Sequence, residues 1–344
     1  SIAQTREWAN MRHTDKSSPT WYAHNARKQP MNHETTLAYL PMIDQPATDP
    51  QAVYKCMKVM QLTMQQLDQT PTVIYMDQAM YALGQEVLWA NSDLDDVVLM
   101  MGGFHLSMNF LAAIGTMFGK LGWGDLLVDA GIFSAKVVAG LLDAKPYTRC
   151  LEAHIAMYEV LSSVRLTMFS HWLEGNEDKD FDDFLQVISR STLLAKYWCQ
   201  YLEAVELALT QLYSERTGDW ELYQHTIKAM IPYFFATDRV RYSRWLSIHS
   251  HDLTRIQSKW PSLRSHLESG KFVVNRTQNK FSSVPPDQAL EQSLNKDVKC
   301  AGGLVGQTTN DNARSRWFLN SHIKATITEE VNRMRGRADS KTNR

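Results

Sequence analysis

From residue 106 to residue 250 the chain carries apolar residues at helical spacing without one β-rich interruption, and nothing else limits its fold as strongly. The segments LSMNFLAAIGTMFGKL, IFSAKVVAGLLDA, RCLEAHIAMYEVLSSVRLTMF, DFLQVISRSTLLAKYWCQYLEAVELALTQLYSER and WELYQHTIKAMIPYFF all return apolar residues every three or four positions. That period is the mark of a helix burying one face. Helices of this kind must pack on one another, so the stretch predicts one helical body without strands. Leu126, Val137, Leu141, Ile155, Leu161, Leu194, Leu202 and Leu209 are its expected buried positions. EGNEDKD (174–180) and GDW (218–220) are expected breaks between helices. The Met and Trp residues of this stretch read most simply as core.

Upstream the pattern differs. TLAYLPMID (36–44), TVIYM (72–76) and DVVLMMGGFH (96–105) read as strands, and 51–69 and 78–90 read as helices between them. Asp49 and Pro50 supply an N-cap and a first helical residue for the earlier helix. Alternating strand and helix is an α/β pattern. The wholly apolar third run suits a buried strand of a mostly parallel sheet. Strands 72–76 and 96–104 are therefore expected to be parallel neighbours joined by a helical crossover. Downstream, 271–285 reads as a short strand and loop, 285–298 as a helix opened by Pro286 and Asp287, and 301–306 as a glycine turn. A last helix and a basic, disordered tail follow.

The formal net charge is −1, so no global field draws the chain to nucleic acid or membrane. The four cysteines (Cys56, Cys150, Cys199, Cys300) form no C-x-x-C pair, which favours free thiols in a reducing compartment, nuclear or cytoplasmic. Asn275-Arg276-Thr277 fits a glycosylation sequon, but no signal peptide accompanies it. No apolar run reaches the ~18–20 residues a bilayer span needs, so a membrane is not expected as a partner. Neither P-loop, G-x-S-x-G nor H-E-x-x-H spacing occurs, and no small-molecule cofactor is expected. Beginning at Ser1, the chain reads as part of a longer protein.

Three residues carry the candidate chemistry. Asp77 follows the strand TVIYM, His105 ends the strand after it, and Glu291 lies on the helix that follows the helical stretch. Hard divalent ions such as Mg²⁺ or Mn²⁺ prefer oxygen ligands. Two of them ~3.5–4 Å apart can stabilise both oxygens of a phosphodiester displacement. Asp77 and Glu291 are thus the expected catalytic and metal-binding pair, with His105 orienting a carboxylate. The ordinary readings are a helix cap for Asp77, a buried, hydrogen-bonded imidazole for His105 and a solvated helix face for Glu291. Asp44 is read as the start of the turn QPATDP.

The pair MDQAM and GGFHLSMNF looks like the D-N-A-x-N and C-x-x-H-x-L-N-L motifs of hAT-type transposases, with Gln78 where the first has Asn and Gly102 where the second has Cys. A longer resemblance rests on MGGFHLSMNFLAAIGTMFG, ERTGDWELYQHTIKAMIPYFFA, ALEQSLNKDVKCAGGLVG and RWFLNSHIKA. These stretches resemble a family of large proteins present in many copies in invertebrate genomes. Such multiplicity implies mobile-element origin and no established activity. Together the likenesses imply a predominantly helical α/β fold: a partial RNase H-like mixed sheet core with a large all-α insertion. The expected units are a core at 1–105, the insertion at 106–270, a return to the core at 271–330 and a tail at 331–344. An RNase H-like core places its first Asp on its first strand, and only one clear strand precedes Asp77. The expected function is therefore a metal-dependent DNA strand-cleaving and strand-transferring transposase that is incomplete or inactive as given. The alternative is a non-enzymatic, domesticated helical protein that binds other proteins.

DNA is the expected partner in the first case. DRVRYSRWLSIHSHDLTRIQSKWPSLR (238–264) interleaves cations with aromatics, a pattern that can hold single strands. Arg239, Arg241, Arg244, Trp245 and Lys259 are its candidate contacts. The ordinary reading is an amphipathic helix with one wet, basic side.

Overall fold

The computed structural model describes residues 1–37 and 45–293, and the single helical positions 323, 327, 330, 331, 333 and 334. Residues 38–44, which hold most of the first expected strand and Asp44, lie outside the described residues, as do the glycine turn and most of the last helix and tail.

The strand pair is the site's platform. Helix α1 (Ile2–Thr14), α2 (Trp21–Arg27) and α3 (Pro50–Gln66) precede it, and Asp49 caps α3 as expected by accepting from the Gln51 amide at 3.0 Å. Strand β1 (Thr72–Met76) then leads into α4 (Gln78–Ala90), which returns the chain to β2 (Val97–Met101). The two strands are parallel, in register from Thr72↔Val97 to Met76↔Met101. Among the described residues they are the whole sheet, so the chain is predominantly helical with a two-stranded parallel pair.

The third expected run is shorter than its apolar length suggests. Helix α5 (Gly103–Phe118) begins inside it, so His105 lies in the first turn of a helix and not at a strand's end. After α5 come α6 (Trp123–Asp129), α7 (Ala135–Leu142), α8 (Tyr147–Leu173), α9 (Phe181–Ser191), α10 (Leu193–Thr217), α11 (Trp220–Ala236), α12 (Val240–Lys259) and α13 (Pro261–Glu268). No strand occurs among them. The run DFLQ…YSER, of helical pattern throughout, divides at Thr192, whose extended backbone lets its hydroxyl accept from the Ala195 amide at 3.0 Å. The basic segment 238–264 divides too, because Pro261 cannot continue α12 and starts α13 instead.

Leu141, Leu202 and Leu209 are buried as expected, and Val137, Ile155 and Leu161 are half-buried. Leu126 and Leu194 are exposed. Leu127, one step further round α6, takes the inward place at 1% exposure, and Leu194 sits in the first turn of α10, outside the packed body. Past α13 the expected strand at 271–285 reduces to one antiparallel bridge between Val274 and Val284, and α14 (Pro286–Glu291) follows.

Close packing of the helices shows at Gly115. A Cβ there would lie 2.2 Å from the Leu142 carbonyl oxygen, so only glycine lets α5 pass the end of α7 at this distance. Helix α1 packs on α8 and α10. Glu206 is 1% exposed in its side chain and is held by Arg6 at 2.9 Å, Arg165 at 3.1 Å and the Tyr158 hydroxyl at 2.8 Å. Two guanidinium groups and a phenol thus compensate a carboxylate that burial would otherwise penalise heavily.

Candidate functional site

Parallel neighbours end at the same edge. Beyond Met76 comes Asp77, and beyond Met101 come Gly102 and Gly103, with the Gly102 amide still donating to the Met76 carbonyl at 2.8 Å. Asp77 caps α4: its Oδ1 accepts from the Met80 amide at 2.9 Å. Helix α5 opens with Gly102 at its N-cap, which has no side chain to satisfy the first amides. The cap arrives from far along the chain. Asp287 Oδ1 accepts from the Phe104 amide at 3.1 Å, and its Oδ2 accepts from the His105 amide at 3.1 Å. The same Oδ2 lies 3.0 Å from His105 Nδ1. A carboxylate at a helix N-terminus is favoured by the unpaired amides and by the helix dipole.

The glycine pair makes this approach possible. A Cβ on Gly102 would stand 2.5 Å from Asp287 Oδ2, and one on Gly103 would stand 2.0 Å from Glu215 Oε1. The pair therefore admits two of the protein's own carboxyl groups.

Electrostatics ties the remaining residues to the cluster. The hydrogen bond to Asp287 raises the His105 pKa; burial opposes it, and the charges of Asp287, Asp77 and Glu291 add to the rise. Both expected carboxylates thus act on one imidazole, and the edge favours a cation of its own. Beneath it lies Glu215, whose carboxyl is pushed up to about 8, first by burial and then by the charge of Asp287. Gln211 donates to its Oε1 at 2.8 Å. Tyr242 closes one side: Asn109 donates to its hydroxyl at 3.0 Å, and burial followed by the charges of Asp77 and Asp287 raises its pKa.

The structure brings Asp77, His105 and Glu291 to one edge. It also adds Asp287 and Glu215, which the sequence reading passed over. Asp287 was visible only as a helix-start residue, although it lies four positions before Glu291 and so on the same face of α14. Glu215 carries no sequence signal, since an acid near the end of a long helix is ordinarily solvated.

The basic candidates are spread along α12. Arg241 and Arg244 are exposed. Arg239 is half-buried and donates to Asn109 Oδ1 at 3.3 Å, beside the edge cluster. Trp245 is 7% exposed, stacked on Trp89 at 6.0 Å and edge-on to Tyr81 at 6.3 Å. It is a core residue, unavailable as a platform for a base, because its face of the amphipathic helix is the inner one. Lys259 donates to the Asp95 carbonyl at 2.8 Å and sits 5.0 Å from the Trp260 ring centre.

With this geometry in hand, the comparisons add one relation. A family model described as a domain of unknown function (DUF8702) matches residues 20–180 and 175–344. The chain belongs to this family. The two matches together run from just before α2 to the C-terminus, so DUF8702 spans both the strand pair and the helical body. No curated protein and no solved structure matches the chain. Among the described residues no single helix is long and apolar enough to cross a membrane.

Proposed function

We propose that this DUF8702 member is a transposase-like protein of mobile-element descent that acts by binding DNA, its acidic edge serving as an internal clamp. One observation carries the reading. Asp287 of α14 docks on the amides of α5 at the edge where Asp77 also stands, after a helical stretch has intervened. A parallel pair, an acidic edge and a long helical excursion are three of the parts that the RNase H-like reading requires, alongside a strand-borne first Asp.

A Mg²⁺ or Mn²⁺ ion needs several oxygen ligands. Here both Asp287 oxygens are taken by backbone amides and His105, and one Asp77 oxygen is taken by Met80. Among the described residues no three His, Cys, Asp or Glu side chains are grouped to hold an ion. The His105 imidazole stands beside Asp287, whose hydrogen bond raises its pKa, and the charges of Asp77 and Glu291 add to that rise. The residues as arranged do not fit the metal. Isothermal titration of Mn²⁺ into the protein at pH 7.5 tests this. No saturable binding is expected. A saturable isotherm that disappears in Asp77→Ala would restore the metal-centre reading.

A second reading, a helical protein that binds other proteins, is favoured by α8. Val160, Val164 and Met168 recur on it every four residues and are 60%, 52% and 44% exposed. Such a stripe is the form of an unpartnered helix face. Absence of DNA binding together with concentration-dependent self-association would favour this second reading.

A further inference from the structure

A cavity of about 230 Å³ opens between α4, the outer side of β2 and α12, away from the acidic edge. Two indoles, Trp89 and Trp260, form walls. Trp89 is 65% exposed, yet one face is backed by the buried Trp245, so its ring is a fixed platform with a wet side. Gln85 and Asp252 line the interior, and Arg255 and Lys259 stand with them. Gln85 Nε2 is committed to Tyr81 and to Asp252 Oδ2 at 3.0 Å. Asp252 Oδ1 has only a 4.0 Å contact with Arg255 among the described residues, so it remains able to accept.

From this geometry we infer that the cavity is a nucleobase pocket that takes one base of a single-stranded nucleic acid, guanine foremost. The proposal rests on the DNA-binding reading and gives it a ligand class. The volume lies below the ~300–1,000 Å³ of sites for drug-sized ligands, so a single ring system fits and a dinucleotide cofactor does not. Every base has a face that stacks on an aromatic side chain. Asp252 Oδ2 already accepts from Gln85 and Tyr81, so Oδ1 alone is open; it only accepts, and guanine presents two adjacent N–H donors, N1–H and N2–H, that can share it, where thymine presents one. The two cations suit the flanking phosphates. The pocket keeps Lys259 from the basic stretch and replaces Trp245 with the accessible Trp89 and Trp260.

Fluorescence anisotropy of labelled (GT)6 and T12 strands against the full chain at low salt tests the pocket. Trp89 is exposed, so Trp89→Ala is expected to fold. It should weaken (GT)6 binding by roughly 5- to 150-fold, the range of one lost base stack. Asp252→Asn should abolish the preference for (GT)6 over T12 while leaving T12 affinity in place. Competition with 5′-GMP identifies the source of the base. Failure to displace (GT)6 assigns the pocket to a strand, as proposed, whereas displacement at comparable affinity assigns it to a free nucleotide and overturns the strand assignment. Wild-type affinity in Trp89→Ala would overturn the pocket and leave the DNA-binding reading standing. No binding of any strand would overturn both.

Discussion

Glu215→Gln should make this protein more stable above neutral pH and flatten its stability against pH. The unfolded chain releases this proton near the ordinary 4.5, whereas the folded protein holds it until about 8. Between those values the folded state binds more protons than the unfolded one, so stability falls as pH rises. Each pH unit of that window is worth about 1.4 kcal/mol. The whole window then costs up to about 5 kcal/mol, an upper figure because the buried carboxyl can relax toward water. Glutamine keeps the shape, still accepts from Gln211 and never ionises. Urea unfolding at pH 5, 6.5 and 8.5 reads the difference. His105 slopes the same way, because its raised pKa stabilises the fold most when the ring is protonated and loses that benefit as pH rises through the folded value. Only the gap between wild type and variant therefore isolates Glu215. The two proteins should lie within about 1 kcal/mol of each other at pH 5 and separate by several at pH 8.5, with the variant on top. Parallel pH profiles, or a variant less stable at pH 8.5, would refute the buried neutral carboxyl.

Two further variants test the packing. Asp287→Ala removes the only side-chain cap described for α5 and should cost about 1–2 kcal/mol in denaturant unfolding. NMR titration should show His105 titrating lower than in the wild type, since its first support is that carboxylate. Glu206→Ala strands the buried Arg165 guanidinium and should cost roughly 3–5 kcal/mol, well above a surface ion pair, by the same unfolding assay.

Periodicity was legible where each element answers to its own local pattern. TVIYM became β1, the caps Asp49 and Asp77 stand where turn chemistry put them, and the breaks at 174–180 and 218–220 are real. Sequence reading slipped where a distant group decides. The apolar run DVVLMMGGFH carries strand propensity to its end, yet α5 starts at Gly103, where Asp287 waits to accept its amides. The same long-range event hid the site. Asp77 and Glu291 were chosen for their order along the chain and act on His105 through their charges, but the residue that touches His105 is Asp287. Burial of Glu215 is equally a property of the assembled helices and leaves no trace in ERTGDW. Trp245 and Lys259 share the basic stretch and nearly the same side of α12, yet Trp245 is buried against Trp89 and Tyr81 whereas Lys259, the last residue of the helix, reaches the Asp95 carbonyl, and only the packed neighbours separate the two roles.

The salt link between Arg6 and Glu206 spans 200 positions. During synthesis α1 leaves the ribosome long before the helix that receives it exists. At ~5–20 residues per second that interval is roughly 10–40 s. Until α10 is made, Trp8 and Trp21, each 1% exposed in the finished protein, lack part of the helical body that buries them, because α1 packs on α10 as well as α8. The first helix is thus a late-fitting piece, and any product ending before α10 leaves Arg6 without its buried partner Glu206. Proteolysis or chaperone capture would find such fragments first.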